Sequence, residues 1–388
     1  MRSNKLRIGI AHPRLERGGS EARAMWGIEA FKADYAVSLI TSGNINLPQM
    51  NQYYGTQVRQ EDVTICKPPF PKLLQKMKGA AALRGSLFQR YCQKIASEFD
   101  ALISTYNFCD FGVPALQCIA DFSWDEEVRG KLHPQKRYHQ RSLIRNAYMS
   151  LTKFISPPPE ISHNRINDMI IANSRWSANI IKKKYNLESK VLYPPVLSHY
   201  PEVDLSNREY GFVCIGRISP EKRIERIIEI LSKVRTPDND LHLHIIGEYR
   251  NSSYGRHLKR LSQEHQDWIT LDGSRMGLEK IALLSQHRFG IHACQGEAFG
   301  ISVAEMVKAG CITFVPNEGG QTEIVNHPLL LYDSVDDAVD KIKNVLQQQK
   351  VQVSLRDHLS KQGEYFSSEI FMEGLRTVVQ EFLEKNAS

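Results

Sequence analysis

Short apolar runs alternate along the chain with stretches whose apolar residues recur every three or four positions. LRIGIA (6–11), YAVSLIT (35–41), ALISTY (101–106), ALQCIAD (115–121) and MIIANS (169–174) read as strands. Ser20–Phe31 and residues 72–97, 137–154 and 175–185 carry helical periodicity between them. The scheme then repeats. Strands are expected at GFVCIGR (211–217), LHLHIIGE (241–248), WITLDG (268–273), FGIHAC (289–294) and ITFVPN (312–317), with helices near 220–234, 253–266, 276–286 and 301–309. This alternation predicts parallel sheets covered by helices on both faces. From residue 193, YPPVLSHYPEVD puts three prolines into nine residues, which stiffens the chain and ends local pairing. The expectation is an α/β protein of two Rossmann-like domains facing each other across a cleft, residues 1–200 and 201–367. Open parallel sheets bind ligands at the carboxyl ends of their strands, so chemistry is sought in the strand-to-helix loops.

Three such loops stand out. In GEAFGISVAE (296–305), Glu297 precedes a helix and Glu305 lies inside it, with seven residues between them, Phe299-Gly300 included. A helix start presents unpaired N–H groups and partial positive charge, which suits phosphate, and Gly300 permits close backbone approach. Taken singly, Glu297 reads as a solvated loop acid and Glu305 as a surface helix residue; the pair around AFG does not. In GRISPEKR (216–223), Arg217 stands at a strand's carboxyl end and Lys222 at a helix start marked by Ser219 and Pro220. A planar fork and a mobile point charge there could converge on a diphosphate. The third loop, HPRLERGGSEARA (12–24), has Gly18-Gly19 before a helix; a tight turn capped by Ser20 explains it equally well.

GEAFGISVAE resembles the E-x7-E motif of the family 4 retaining glycosyltransferases. GRISPEKR resembles that family's Gly-Arg-…-Glu-Lys segment, and RGGSE its N-terminal Gly-Gly loop. The three occur in the family's order and spacing, and the resemblance spans essentially the whole chain. ANSRWSANII…VLYPPV (172–196) is also similar to segments of eukaryotic lipid-linked-oligosaccharide mannosyltransferases of that family.

The resemblance implies a GT-B fold whose C-terminal domain holds the nucleotide-sugar. By it, Arg217 and Lys222 neutralise the donor diphosphate and Glu305 takes the ribose hydroxyls. Glu297 sits beside the donor sugar, and amides at Phe299, Gly300 and Ile301 meet sugar and phosphate. Gly19 lies opposite, Ser274 and Arg275 belong to the loop that holds the base, and the last helix, about 368–385, crosses back to the N-terminal domain. One departure concerns Asp121, which stands where many members have a histidine that touches the donor sugar. His292, on the strand before the motif, reads as a packed or hydrogen-bonded strand histidine. The implied reaction moves a sugar from a nucleotide-sugar to an acceptor hydroxyl, lipid-linked or a cell-surface glycan precursor, with retained configuration. Alternatives on the same fold are a nucleotide-sugar epimerase, a phosphorylase, or a non-catalytic binder of nucleotide-sugar or nucleic acid.

Composition sharpens this only slightly. Of the 388 residues, 41% are hydrophobic and 24% charged, the balance of a globular protein. Apolar runs such as Phe212–Ile215 are far shorter than the ~20 residues of a membrane span. MRSNKLRIGIAHP lacks the apolar stretch and cleavage site of a signal peptide, so a cytoplasmic protein is expected. The seven cysteines are scattered and odd in number, which argues for reduced, buried thiols rather than a disulfide framework or a zinc site. The net charge of +7 suits an anionic substrate, an acidic membrane surface or nucleic acid, and equally an ordinary, slightly basic soluble protein. KLLQKMKGAAALRGSLFQRYCQK (72–94) mixes basic residues with Leu73, Leu74, Met77, Leu83, Leu87 and Phe88. That pattern fits peripheral contact with the inner face of a membrane, or a core-facing helix with a solvated basic side. No aromatic-basic stacking motif for nucleic acid is found. Asp238-Asn239-Asp240 matches an Asp-x-Asp metal motif superficially, but it follows Thr236-Pro237 and reads as a polar turn at a strand's amino end. No metal ligand and no cofactor beyond the nucleotide-sugar itself is expected.

Overall fold

The computed structural model describes residues 5–16, 18–70, 80–132, 167–197, 199–236, 241–249 and 251–387. The predicted helix at 137–154 and the Asp238-Asn239-Asp240 turn lie outside these residues. The chain forms two compact units. The first comprises Met1–Trp124, Arg137–Pro195 and Glu369–Ser388, the second Asp125–Lys136 and Val196–Ser368.

The first unit is built on seven parallel strands, β1 (Arg7–Ala11), β2 (Ala36–Ile40), β3 (Thr64–Cys66), β4 (Ala101–Ser104), β5 (Leu116–Ile119), β6 (Met169–Ala172) and β7 (Lys190–Val191). Their order is β3-β2-β1-β4-β5-β6-β7. Strands β4 and β5 are buried at every position, as expected where helices cover both faces. The helices are α1 (Gly19–Phe31), α2 (Leu47–Tyr54), α3 (Ala81–Ile95) and, past α4 (Glu126–Leu132) of the second unit, α5 (Arg175–Tyr185). Ser174 caps α5 by accepting from the Ser177 amide, and Asn186 ends it in the left-handed conformation, φ 52°.

The second unit repeats the plan. Its strands β8 (Glu209–Ile215), β9 (His242–Ile246), β10 (Ile269–Gly273), β11 (His287–Ile291), β12 (Ile312–Pro316) and β13 (Leu331–Tyr332) follow the order β10-β9-β8-β11-β12-β13, all parallel. Its further helices are α6 (Ile224–Val234), α7 (Ser253–Glu264), α8 (Gly277–Gln286), α9 (Ile301–Lys308), α10 (Gln321–Val325), α11 (Val335–Gln347) and α12 (Gln349–Glu364). Helix α6 buries Ile224, Ile227, Ile228, Leu231 and Val234, one face of a 3.6-residue repeat. The helix expected at 220–234 is broken: Pro220–Lys222 make a 3-10 turn, Arg223 turns left-handed at φ 49°, and α6 starts after it. Helix α13 (Ser368–Ala387) then leaves this unit. Its Phe371, Leu375, Val378, Val379 and Phe382 join the first unit's core beside Met25, Ile28 and Ile10. The fold is therefore the double Rossmann-like arrangement expected, with the last helix returned to the first unit.

Arg208 ties the foot of the second sheet together. It is 4% exposed and donates to the carbonyls of Val203 (3.1 Å), His287 (3.0 Å) and Ala309 (2.7 Å). Gly310, at φ 85°, leaves room for it, since a Cβ there would lie 2.6 Å from Nη2. Arg208→Met keeps the stem and removes the fork, leaving three carbonyls short of donors. Denaturant unfolding of the purified protein should show a loss of about 3 kcal/mol; an unchanged midpoint would contradict this role.

Candidate functional site

The strand order of the second sheet reverses between β8 and β11. Connections from these neighbours run off in opposite directions, and a crevice opens at their carboxyl ends. The loop after β8 carries Gly216 to Arg223, and the loop after β11 carries His292 to Gly300. Sequence-distant residues meet there. Lys222 Nζ lies 2.5 Å from Glu297 Oε2, and His292 Nε2 lies 3.4 Å from the same oxygen. Burial alone would raise the Glu297 carboxyl, but Lys222 and His292 hold it well below its ordinary value. Burial opposes the charge on Lys222 as well, and Glu297 outweighs it, so the ammonium's pKa is raised. His292 is lowered by burial and stays neutral. Cys294 completes a set of metal-type ligands with His292 and Glu297, yet burial pushes its thiol up to about 12 and the Lys222 ammonium already takes the carboxylate.

The motif loop is held from behind by a segment the sequence did not single out, Glu318–Gln321. Gly320 donates its amide to the Glu297 carbonyl at 2.7 Å, and a Cβ on Gly320 would stand 2.3 Å from the Ala298 oxygen. Fully buried Gln321 donates to the carbonyls of Cys294 (2.8 Å) and Glu318 (3.0 Å). Gly300 sits at φ 106°, with a Cβ position 3.3 Å from Gln321 and 3.6 Å from Glu297. The glycine is thus required by the backbone and by its neighbours, in addition to any approach of a ligand. Phe299 is 2% exposed and packs on Phe366, ring centroids 5.4 Å apart. Only its main chain faces the crevice loop, whereas Ile301 opens α9 directly after Gly300.

Glu305 is not a surface residue. Its Oε1 lies 2.6 Å from Nζ of Lys280, with side chains 14% and 8% exposed respectively. Lys280 belongs to α8, and nothing in its sequence context distinguishes it from a solvated lysine. The Tyr200 hydroxyl is buried without a hydrogen-bond partner, and burial together with Glu305 holds it protonated well above its ordinary pKa. Arg217 is largely exposed and reaches Glu221 at 3.8 Å. Arg223 donates to Gln295 at 2.6 Å, linking the two loops. Ser274 and Arg275 are exposed between β10 and α8, with Arg275 3.6 Å from Glu279. The structure therefore joins Lys222 to Glu297, pairs Glu305 with Lys280, and leaves Arg217, Ser274 and Arg275 at the surface.

Gly19 belongs to the first unit, where it begins α1 behind Gly18, whose amide donates to Tyr54 Oη at 2.9 Å. His12 Nε2 meets Ser20 Oγ at 3.1 Å, and burial with the Arg23 charge lowers this histidine to about 3. Asp121 organises its own loop, accepting from Asn107 Nδ2 (3.0 Å) and the Ser123 amide (2.9 Å). In α3, Phe88, Cys92 and Ile95 are buried in the first unit's second cluster, so its apolar face is a core face. Leu73, Leu74 and Met77 lie outside the described residues.

Residues 201–365 match the family described as Glycosyl transferases group 1. A human protein named GDP-Man:Man(3)GlcNAc(2)-PP-Dol alpha-1,2-mannosyltransferase is 23% identical over 370 residues, 82% of this chain and 73% of that protein. A Xenopus laevis protein of the same name is 28% identical over 218 residues, 50% of this chain and 45% of that protein. Among solved structures, sucrose-phosphate synthase from Thermosynechococcus elongatus aligns with a TM-score of 0.73 at 13% identity, over 98% of this chain and 100% of that one. That last likeness concerns the fold.

The Lys222–Glu297 pair has a pH signature. The depressed carboxyl contributes stability that is complete above its ordinary value near 4.5 and is lost as pH falls toward the folded value. The raised ammonium contributes stability present below its ordinary 10.5 and lost as pH rises through the folded value. Lys222→Met should cost about 2 kcal/mol at neutral pH, because it leaves a partly buried carboxylate without its cation. Urea unfolding across pH should show the difference between wild type and variant shrinking at both extremes. A difference constant with pH would refute the coupling.

Proposed function

We propose that the protein is a retaining transferase that moves mannose from GDP-mannose to a hydroxyl of a lipid-linked oligosaccharide. Its broader class is plain: it is a glycosyltransferase that uses a nucleotide-sugar, with a group 1 glycosyltransferase domain over residues 201–365. The observation that carries the reading is the Lys222–Glu297–His292 group at the switch point of that domain's sheet. Mannose, GDP and the lipid-linked acceptor are supported by the names of the human and Xenopus laevis relatives. Retention, and membership of family 4, are supported by the E-x7-E resemblance.

In this reading the bond from the sugar's anomeric carbon to the diphosphate oxygen breaks, and a bond to the acceptor oxygen forms on the same face. The departing phosphate oxygen takes the acceptor's proton. Charge grows on the diphosphate as the bond breaks. Lys222 meets it with those ammonium hydrogens that Glu297 does not hold, Arg217 with its exposed fork, and the first amides of α9 with the helix's positive end. Lys222 and the helix start are in place before substrate arrives and Arg217 is free to swing in, so no divalent metal is needed in the proposal. Glu297 holds Lys222 in place and lies beside the sugar. Glu305 offers an acceptor for the ribose hydroxyls.

The two glutamates should fail differently. Glu305→Gln should weaken binding of bare GDP by about 1–3 kcal/mol, the scale of a hydrogen bond to a charged group. Glu297→Gln keeps an oxygen to hold Lys222, so it should change GDP affinity less than Glu305→Gln does, and should lower single-turnover transfer, because the carboxylate's further part is taken at the sugar and in the transition state. Calorimetry with GDP beside a single-turnover assay in EDTA reads all of this. Equal losses of GDP affinity in both variants would overturn the division, and turnover restored only by magnesium or manganese would overturn the metal-free reading.

A lipid-linked acceptor calls for a peripheral approach to a membrane, since among the described residues no helix is long and apolar enough to cross one. With the apolar face of α3 committed to the core, the contact falls to its exposed cations, Arg90 and Lys94. Flotation with anionic vesicles should recover the wild-type protein, and the double substitution Arg90→Glu with Lys94→Glu should reduce recovery several-fold. Equal recovery of wild type on neutral and anionic vesicles would sink the idea.

A further inference from the structure

The amino ends of β8, β9 and β11 carry a second polar group, at the opposite ends of the strands from the site above. Glu209 opens β8, His242 opens β9 with His244 two residues on, and His287 opens β11. The pairing register sets His242 beside Gly211 and His287 beside Glu209, and the i, i+2 spacings put Glu209 and Gly211, and His242 and His244, on common faces. One ligand atom from each of Glu209, His242, His244 and His287 lies within 4.8 Å of the others. The separations already approach those of a coordination shell. His242 Nε2 stands 3.1 Å from Glu209 Oε2, and His287 Nε2 stands 3.9 Å from it. Ligands held 2.0–2.1 Å from a tetrahedral zinc lie about 3.3–3.4 Å apart.

Three further observations point the same way. His287 is fully buried, its Nδ1 bonds the Leu283 carbonyl at 2.7 Å, and its Nε2 is buried with no partner at all. A buried lone pair without a donor is costly and calls for an electrophile. His244 Nδ1 meets Asp272 Oδ2 at 2.9 Å, which leaves Nε2 as a ligand. A carbonyl or carboxylate on the far ring nitrogen is how metal-bound histidines are usually oriented. Gly211 is the third sign. A Cβ there would fall 2.2 Å from His242 Nε2, so the missing side chain is the space into which this imidazole lies.

We propose that Glu209, His242, His244 and His287 bind a divalent metal ion, zinc by the chemistry of three imidazoles and one carboxylate, across the amino ends of β9, β8 and β11. Glu209 is half exposed and gives the ion its way in. The metal takes the place between His242 Nε2 and Glu209, with the imidazole hydrogen carried on Nδ1, and affinity falls as pH falls because protons compete with the metal for the imidazoles. The ion would pin the three strands whose other ends carry Lys222 and Glu297. The site is separate from the sugar-transfer chemistry and does not depend on the donor or acceptor assigned above.

The test uses the untagged full-length chain, stripped with chelator, loaded with zinc sulfate, desalted and analysed for metal. The expected result is one zinc retained per chain. His242→Asn should abolish retention, Glu209→Gln should weaken it at least tenfold, and Asp272→Asn should weaken it 10- to 100-fold through the second nitrogen of His244. Cobalt should give the visible absorption of a tetrahedral site in wild type and not in His242→Asn. Glu209 is exposed enough that its variant keeps the fold, which thermal melting verifies without zinc. Wild type that retains no zinc overturns the proposal. So does zinc retained equally by wild type, His242→Asn and Glu209→Gln, which would place the ion elsewhere.

Discussion

Everything at the carboxyl end of the second sheet depends on one constraint, the reversal of strand order between β8 and β11. Without it, the loops after these strands would be covered by the same layer of helices, and two buried charges would have nowhere to meet. With it, Lys222 and Glu297 are brought to 2.5 Å across 75 residues of sequence. Each is desolvated, and each is tolerable only because the other is present. Gln321, Gly319 and Gly320 close the back of the motif loop, and Arg223 is held in a left-handed conformation costing about 1–3 kcal/mol by its bond to Gln295. Strain and charge are concentrated where the proposed ligand would be met.

The candidate site draws on two lysine–glutamate pairs with different surroundings. Lys222–Glu297 has a neutral histidine on its carboxylate, whereas Lys280–Glu305 has a phenol hydroxyl without a partner within electrostatic reach. Each pair is self-neutralising and needs no counter-ion. In the proposed reading an anionic ligand competes with a carboxylate for an ammonium already in position. That arrangement favours ligands bringing several acceptors at once, as a diphosphate does, over a single weak anion.

Much of the fold was legible because the strands are buried on both faces and read as continuous apolar runs. Short or half-wet elements were not: β3 is three residues long with an exposed start, and β7 is exposed throughout. Helices α11 and α12 escaped because no strand of normal length separates or announces them. In the candidate site, Glu297, Gly300, Glu305 and Lys222 drew notice through spacing and position at strand ends, and the structure brings Lys222 to Glu297. Lys280 was not, since its burial is a tertiary fact of α8 that the local sequence does not record. Gln321 follows a strand and two glycines, in EGGQTE, so the signal that marked the other loops was present there as well. The histidines of LHLHIIGE alternate along a strand, but their partners Glu209 and His287 come from neighbours that only the sheet order supplies.

The return of α13 to the first unit has a consequence for synthesis. As the chain leaves the ribosome, β1 through β7 emerge long before Phe371, Leu375, Val379 and Phe382, which complete their core. The second unit, with every strand contained between Glu209 and Tyr332, can close while the first is still short of a wall. The nascent first unit must therefore keep an apolar face near Met25 and Ile28 exposed until the helix that begins at Ser368 arrives. Completion of the first core therefore waits for synthesis of that helix, and a chaperone that shields hydrophobic surface would find its client there rather than in the second unit.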